Sequence, residues 1–222
     1  MELDGQGLSE LYGDRFGGRE RQRTGTWRIL VSRFFQRWVP KDSVVLDLAA
    51  GHCEFINHIE AGRRIAVDLN PEVKTRATAG VESLILRSDE LTPIDDGSID
   101  RVFVSNFFEH IDRETILSTL REVRRVLRPD GRLLILQPNV RFAARDYWMF
   151  FDHITPVDDR ALGEALRQTG FSVELNIPRF LPYTMSGNLP TADWLVKAYL
   201  KLPLAWRFLG AQTFMVAKPA AD

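Results

Sequence analysis

The chain has 222 residues, 45% hydrophobic and 27% charged, which suits a single globular domain with a full core. A formal net charge of −1 gives no overall pull toward nucleic acid, and the single cysteine, Cys53, excludes an intrachain disulfide framework and a cysteine-built zinc site. No run reaches the ~18 apolar residues of a spanning helix, and Met1 to Gly18 lacks the apolar segment of a signal peptide, so a soluble cytoplasmic protein is expected.

The first ~24 residues are rich in glycine and charge, as loosely packed termini often are. Arg15, Arg19, Arg21, Arg23, Arg28, Arg33 and Arg37 form a basic cluster. It reads first as a solvated face, and second as a contact for an anionic substrate or membrane surface. From Thr24 or Thr26, the spacing of Trp27, Leu30, Val31, Phe34, Phe35 and Trp38 predicts a helix stopped by Pro40, so residues 1–40 make a helical cap. Strands and helices then alternate. Strands are predicted over Ser43–Leu48, Arg64–Asp68, Val81–Leu86, Asp100–Ser105, Arg132–Leu136, Phe171–Ile177 and Thr213–Ala217. Helices are predicted over Glu54–Glu60, from Pro71, over Arg113–Leu127 and over Asp158–Thr169. Asp95-Asp96-Gly97-Ser98 and Pro129-Asp130-Gly131 are turns, and Gly170 ends the last of these helices. This alternation predicts one α/β domain over 1–222, with crossover connections and a mostly parallel sheet. A long apolar insertion, 178–211, separates the last two strands, and its middle, Ala192–Leu202, reads as helical.

The first strand runs into Asp47-Leu48-Ala49-Ala50-Gly51-His52-Cys53-Glu54. An acid at a strand end, followed by small residues at two-residue spacing, makes a turn that a ligand can approach closely. Asp47 either braces that turn through backbone N–H groups or meets the ligand. Asp68, at the end of the second strand, lies where a carboxylate can take both hydroxyls of a ribose.

These residues resemble the class I S-adenosylmethionine-dependent methyltransferases of the type 11 kind. Asp47–Cys53 looks like the family's D/E-x-G-x-G-x-G segment, and Asp96–Val102 like its DGSFDVV segment. Asn106–His110 is similar to the segment ending in LEH, Val126–Leu133 to LKPGGRL, and Ala165–Phe171 to LLxxAGF. The resemblance implies a Rossmann-like seven-stranded sheet, mostly parallel with the last strand antiparallel, and S-adenosyl-L-methionine as cofactor, with S-adenosyl-L-homocysteine as its product. Backbone around Ala49 and Gly51 would hold the methionine part. Asp68, with Leu69 beside it, would bind the ribose. Ser88 and Asp89 would meet adenine, and Asn106 and Phe107 would line the methyl-donor end. Ala49 and Cys53 stand where the family has glycines; both are small, which keeps a tight turn as long as neither needs positive φ. Ser88 replaces the usual adenine-binding acid.

A nicotinamide-dependent oxidoreductase needs G-x-G-x-x-G; Glu54 at the turn would repel a diphosphate, and no Tyr-x-x-x-Lys pair is present. A non-catalytic scaffold on the same fold is the other alternative. Candidate bases for deprotonating an acceptor are His153, beside the aromatic run Tyr147–Phe151, and His110. No His or carboxylate set has metal-ligand spacing, so no metal is expected. The insertion 178–211 reads as core packing, a lid over the acceptor, a homodimer surface or a peripheral membrane contact. The whole chain resembles a bacterial subgroup associated with glycan and polysaccharide assembly, which implies a small-molecule, carbohydrate or lipid-linked sugar acceptor and no nucleic acid.

Overall fold

The computed structural model describes residues 20–183 and 192–221. Arg15, Arg19, Leu189 and most of the predicted opening segment lie outside them. Seven strands form a mixed sheet in the order β3-β2-β1-β4-β5-β7-β6, with β7 antiparallel. The described residues divide into two compact units, one within residues 20–88 and 192–201, the other within 89–183 and 202–221.

In the first unit, helix α1 (Glu20–Arg33) is followed by a 3-10 turn (Phe35–Trp38). Phe35 is wholly buried, with Trp27 stacked at 6.2 Å and Phe55 edge-on at 6.1 Å. The helix thus begins earlier than the apolar spacing indicates and tightens before Pro40. Strands β1 (Val44–Leu48), β2 (Arg63–Asp68) and β3 (Val81–Ile85) pair in parallel, Leu46 opposite Ile65 and Asp68 opposite Ile85. Val45, Leu46, Leu48, Ile65, Ala66 and Val67 are buried, the near-continuous apolar run of a strand covered on both faces. Helix α2 (Val73–Arg76) starts where the Asn70 side chain accepts from Glu72 N at 3.0 Å. The helix predicted over Glu54–Glu60 is instead a series of turns. Two helix-like bonds remain there, Asn57 N to Cys53 O and Ile59 N to Phe55 O, both 3.0 Å. Cys53 takes φ 59°, a left-handed value from which a regular α-helix does not propagate.

The second unit holds β4 (Ile99–Ser105), a 3-10 turn (Phe108–His110), α3 (Arg113–Val126) and β5 (Leu127–Pro138). Asp112 caps α3 by accepting from Thr115 N at 2.8 Å, and Ile116, Leu120 and Val123 bury one stripe. The predicted Pro129-Asp130-Gly131 turn is a register break inside β5, between the pairs Ile99–Leu127 and Arg101–Arg132. Helix α4 (Val140–Tyr147), capped by Asn139, was not read from the sequence. Helix α5 (Asp159–Gln168) is capped by Asp158, which accepts from Arg160 N and Ala161 N at 2.8 Å. Gly170, at φ 80°, follows its end.

Strand β6 (Phe171–Leu181) extends beyond the predicted Ile177 and pairs antiparallel with β7 (Gln212–Pro219). The insertion therefore starts later than 178, and Pro178, which has no N–H to donate, falls within the register break between Ile177 and Leu181. Helix α6 (Asp193–Leu200) matches the helical middle of the insertion. It belongs to the first unit, where it packs on α1 and Asp193 faces Arg28 at 3.6 Å. Helix α7 (Pro203–Leu209) belongs to the second, with Pro203 in its first turn.

Candidate functional site

The turn after β1 lies in the first unit. Ala49, Gly51 and Cys53 have φ of 56°, 50° and 59°, so every second residue is left-handed. The condition set for Ala49 and Cys53, that neither need positive φ, is not met: the turn forms, and both carry the conformation that glycine usually supplies. The turn is held at three points. Ala50 N donates to Val67 O at 3.0 Å, Cys53 N to Ala50 O at 2.7 Å, and Gly51 N to Asp68 Oδ2 at 2.7 Å. The other Asp68 oxygen accepts from Asn70 N at 2.7 Å.

Asp68 therefore braces the β1 turn against the end of β2, a role that the sequence alone does not signal. Burial raises its pKa, and the three backbone N–H bonds, from Asn70, Gly51 and Leu69, oppose that rise. Each oxygen keeps lone-pair capacity for an incoming hydroxyl. A Cβ placed on Gly51 would meet nothing within 4 Å, so the turn has an open side. Asp47 is buried and accepts from Ile56 N at 3.3 Å. Its pKa is raised well above the ordinary value, by burial first, with the nearby Asp68 charge adding to it and the Ile56 bond opposing. Cys53 is buried, and its thiol is pushed up to about 12 by burial and by the Asp47 and Asp68 charges. Glu54 is bonded by Arg23 Nε at 2.9 Å, so a member of the basic cluster answers its charge. Leu69 is exposed and Ser88 half-buried.

Asp89, in the turn after β3, and the segment after β4 lie in the second unit. Asn106 is left-handed at φ 48°, which asparagine tolerates, and its N–H donates to Leu136 O at 2.9 Å. Phe107 is half-buried, 5.8 Å from the Phe108 ring. The 3-10 turn then presents Glu109 and His110. Gln137, at the end of β5, accepts from Phe108 N at 3.4 Å and donates to Glu109 Oε2 at 2.6 Å.

The loop after α4 is tied to this turn through its backbone. Ile154 N and Thr155 N both donate to Glu109 O, at 2.9 and 3.2 Å, and Thr155 Oγ1 donates to Ile111 O at 2.6 Å. The Tyr147 hydroxyl donates to Thr155 O at 2.6 Å and accepts from Val157 N at 3.2 Å. These bonds bring His110 Nδ1 to 3.1 Å from the Asp152 carboxylate and leave Nε2 3.8 Å from Glu109 Oε1. His153, 6% exposed, sits among the rings of His110, Tyr147 and Phe150 at 4.8, 4.9 and 5.2 Å.

Burial disfavours the His110 imidazolium, but the Glu109 and Asp152 carboxylates outweigh it and its pKa is raised. Burial raises the Glu109 pKa, against the opposing effects of His110 and Gln137. The two histidines expected from the sequence thus lie together. Glu109, Gln137 and Asp152, to which the sequence reading gave no role, complete their surroundings. The available signal was a glutamine ending the apolar run Leu133–Leu136, a polar group that must find a buried partner.

Residues 46–135 match the family model described as a methyltransferase domain. Over 137 residues the chain is 28% identical to an uncharacterized 37.1 kDa protein in transposon TN4556 of Streptomyces fradiae, spanning 56% of this chain and 39% of that protein. Among solved structures, an S-adenosylmethionine-dependent methyltransferase from Archaeoglobus fulgidus superposes with a TM-score of 0.67 at 19% identity, over 94% of this chain and 97% of that one. A chain of the Haloferax volcanii complex between the Trm112 methyltransferase activator and a methyltransferase gives 0.67 at 21% identity, over 96% of both chains. Geranyl diphosphate C-methyltransferase from Streptomyces coelicolor A3(2), solved with Mg²⁺, geranyl diphosphate and S-adenosyl-L-homocysteine, gives 0.57 at 17% identity, over 82% of this chain and 72% of that one. The fold is the Rossmann-like methyltransferase fold. The matched domain, residues 46–135, lies within that fold, from β1 to β5. No helix among the described residues is long and apolar enough to cross a membrane.

Proposed function

We propose that this chain moves a methyl group from S-adenosylmethionine to a small-molecule acceptor, with a carbohydrate or lipid-linked sugar as the class that its family resemblance favours. The observation that carries the reading is the left-handed turn at Ala49, Gly51 and Cys53, open above Gly51, with the Asp68 carboxylate hydrogen-bonded at its foot. Asp68 would accept from the two ribose hydroxyls, and backbone around Ala49 and Gly51 would hold the methionine part. Ser88 and Asp89 would meet adenine; Asn106 and Phe107 would line the methyl-donor end.

The cofactor supplies an electrophilic methyl group on a sulfonium. The protein must align the acceptor in line with it, exclude water and, for a weak nucleophile, accept a proton. His110 and His153 are the side chains assigned to that proton, and the apolar insertion is the segment assigned to covering the acceptor. Among its described residues, Leu204, Phe208 and Leu209 on α7 are exposed. An apolar acceptor or a membrane-borne lipid would find partners there.

Titration calorimetry with S-adenosyl-L-homocysteine tests the reading. The wild type is expected to bind, and Asp68→Ala to weaken binding by ~1.5–3 kcal/mol through loss of charged hydrogen bonds. No binding by the wild type would overturn the function. Unchanged binding by the variant would remove Asp68 from the site and leave the function standing.

A further inference from the structure

The geometry points to a binding site for one divalent transition-metal ion, of the zinc type, formed by Glu109, His110 and His153. One ligand atom from each residue, two imidazole nitrogens and one carboxylate oxygen, can be chosen so that all lie within 4.8 Å of one another. Zinc bonds of ~2.0–2.2 Å to nitrogen and oxygen give tetrahedral edges of ~3.4 Å, so small side-chain rotations close the set. His110 Nε2 and Glu109 Oε1 stand 3.8 Å apart, too far for a hydrogen bond and near the spacing of two ligands on one ion.

The surroundings are those that ligands require. His110 presents Nδ1 to the Asp152 carboxylate at 3.1 Å. With the proton on Nδ1, that bond fixes the tautomer, leaves Nε2 free to ligate and raises the basicity of the ring. Gln137 Nε2 holds Glu109 Oε2 at 2.6 Å, which leaves Oε1 toward His110. His153 is packed against three neighbouring rings and Glu109 is 1% exposed, so both are held in place away from water. The Glu109 and Asp152 carboxyl groups both stand beside the His110 ring, a setting that suits a cation. Two imidazoles with one carboxylate suit zinc, cobalt or ferrous iron, and not magnesium, which prefers oxygen ligands. Three protein ligands leave coordination positions for water or for an oxygen of an acceptor.

A bound ion makes His110 and His153 ligands and removes them as proton acceptors, so the two roles exclude each other. Metal binding is read without turnover, so the inference stands or falls separately from methyl transfer.

The test uses the full chain, stripped with a chelator and dialysed. Titration with Co²⁺ and competition by Zn²⁺ are expected to give one ion per chain, with visible bands from nitrogen and oxygen ligands and no thiolate charge-transfer band. Mg²⁺ in excess is expected not to displace it. His153→Gln, His110→Gln and Glu109→Gln are expected each to weaken binding by at least tenfold, and Asp152→Asn by about 10–100-fold, as for loss of a group that orients a ligand. Circular dichroism of the metal-free variants establishes that they are folded; any that is not is replaced by His153→Asn. Absence of stoichiometric binding by the wild type would overturn the site, as would a folded His153 variant that binds like the wild type.

Discussion

Ala49 holds a backbone conformation in which its Cβ crowds the following carbonyl oxygen. Such strain costs roughly 1–2 kcal/mol per residue, and here it recurs at Cys53. The gain is a turn whose N–H groups aim at Asp68 and at the end of β2. Two substitutions separate conformation from packing. Ala49→Gly relieves the crowding but adds freedom to the unfolded chain, so its stability is expected within ~0.5 kcal/mol of the wild type. Ala49→Val puts a β-branched side chain at φ 56° and is expected to destabilise by ~1–3 kcal/mol. Urea unfolding of both checks this; equal stability for the valine variant would show that the left-handed turn is absent in solution. The small residues of this turn were legible in the sequence, but their φ signs were not. Alanine and cysteine give no local signal of left-handed backbone, and the bonds that hold the turn to Val67 O and Asp68 exist only once β1 and β2 are paired.

Among the elements, β1 to β4, α3 and α5 were legible to within a residue at each end, because apolar runs or stripes lie between turn and capping residues. Helices α4 and α7 were missed for opposite reasons. Helix α4 buries only Ala143 and Tyr147, too few to show a period, and its Asn139 cap lies directly after a strand. Helix α7 buries no side chain, so nothing periodic marks it beyond Pro203 at its start. What fixes α7 is its end. Arg179 donates from Nε to Gly210 O and from Nη2 to Phe208 O, both at 2.7 Å, placing a cation on the terminal carbonyls. Gly210 lies so close to β6 that an added Cβ would fall 2.5 Å from the Arg179 carbonyl carbon and 2.6 Å from Trp206 O. These are backbone atoms that cannot rotate aside. Gly210→Ala is expected to destabilise by at least ~1–3 kcal/mol, in the range of overpacking, measured as a lowered urea midpoint. A shift smaller than ~0.5 kcal/mol, the size of an ordinary surface change, would mean that α7 and β6 separate freely. The Glu109–His110–His153 cluster was illegible for a related reason. Spacing rules detect ligands one helical turn apart, whereas His110 meets its Asp152 partner across 42 residues of chain, through loop bonds that only the folded backbone makes.

Among the charged and polar side chains that the fold buries is Asp47, and the stability of the molecule should respond to pH accordingly. Asp47 has its carboxyl pKa raised by burial, so the native state holds a proton that the unfolded chain releases. Its contribution is therefore favourable in acid and lost as pH rises from the ordinary carboxylate range through the native value. Asp47→Asn keeps an oxygen to accept from Ile56 N and removes the buried ionisable group. The variant is expected to exceed wild-type stability by roughly 1–3 kcal/mol at pH 8, the scale of a buried polar penalty. The gap should close toward pH 4 in parallel thermal melts, and one that is constant or reversed would contradict the assignment. Burial beside those same carboxylates also settles the chemistry of Cys53. The chain's only thiol is inaccessible, and a pKa of about 12 keeps it protonated at neutral pH. Alkylating probes should pass it by in the native protein. A cysteine introduced at an exposed position such as Met149 or Phe208 would then take a single fluorophore or spin label without any need to engineer the native residue away.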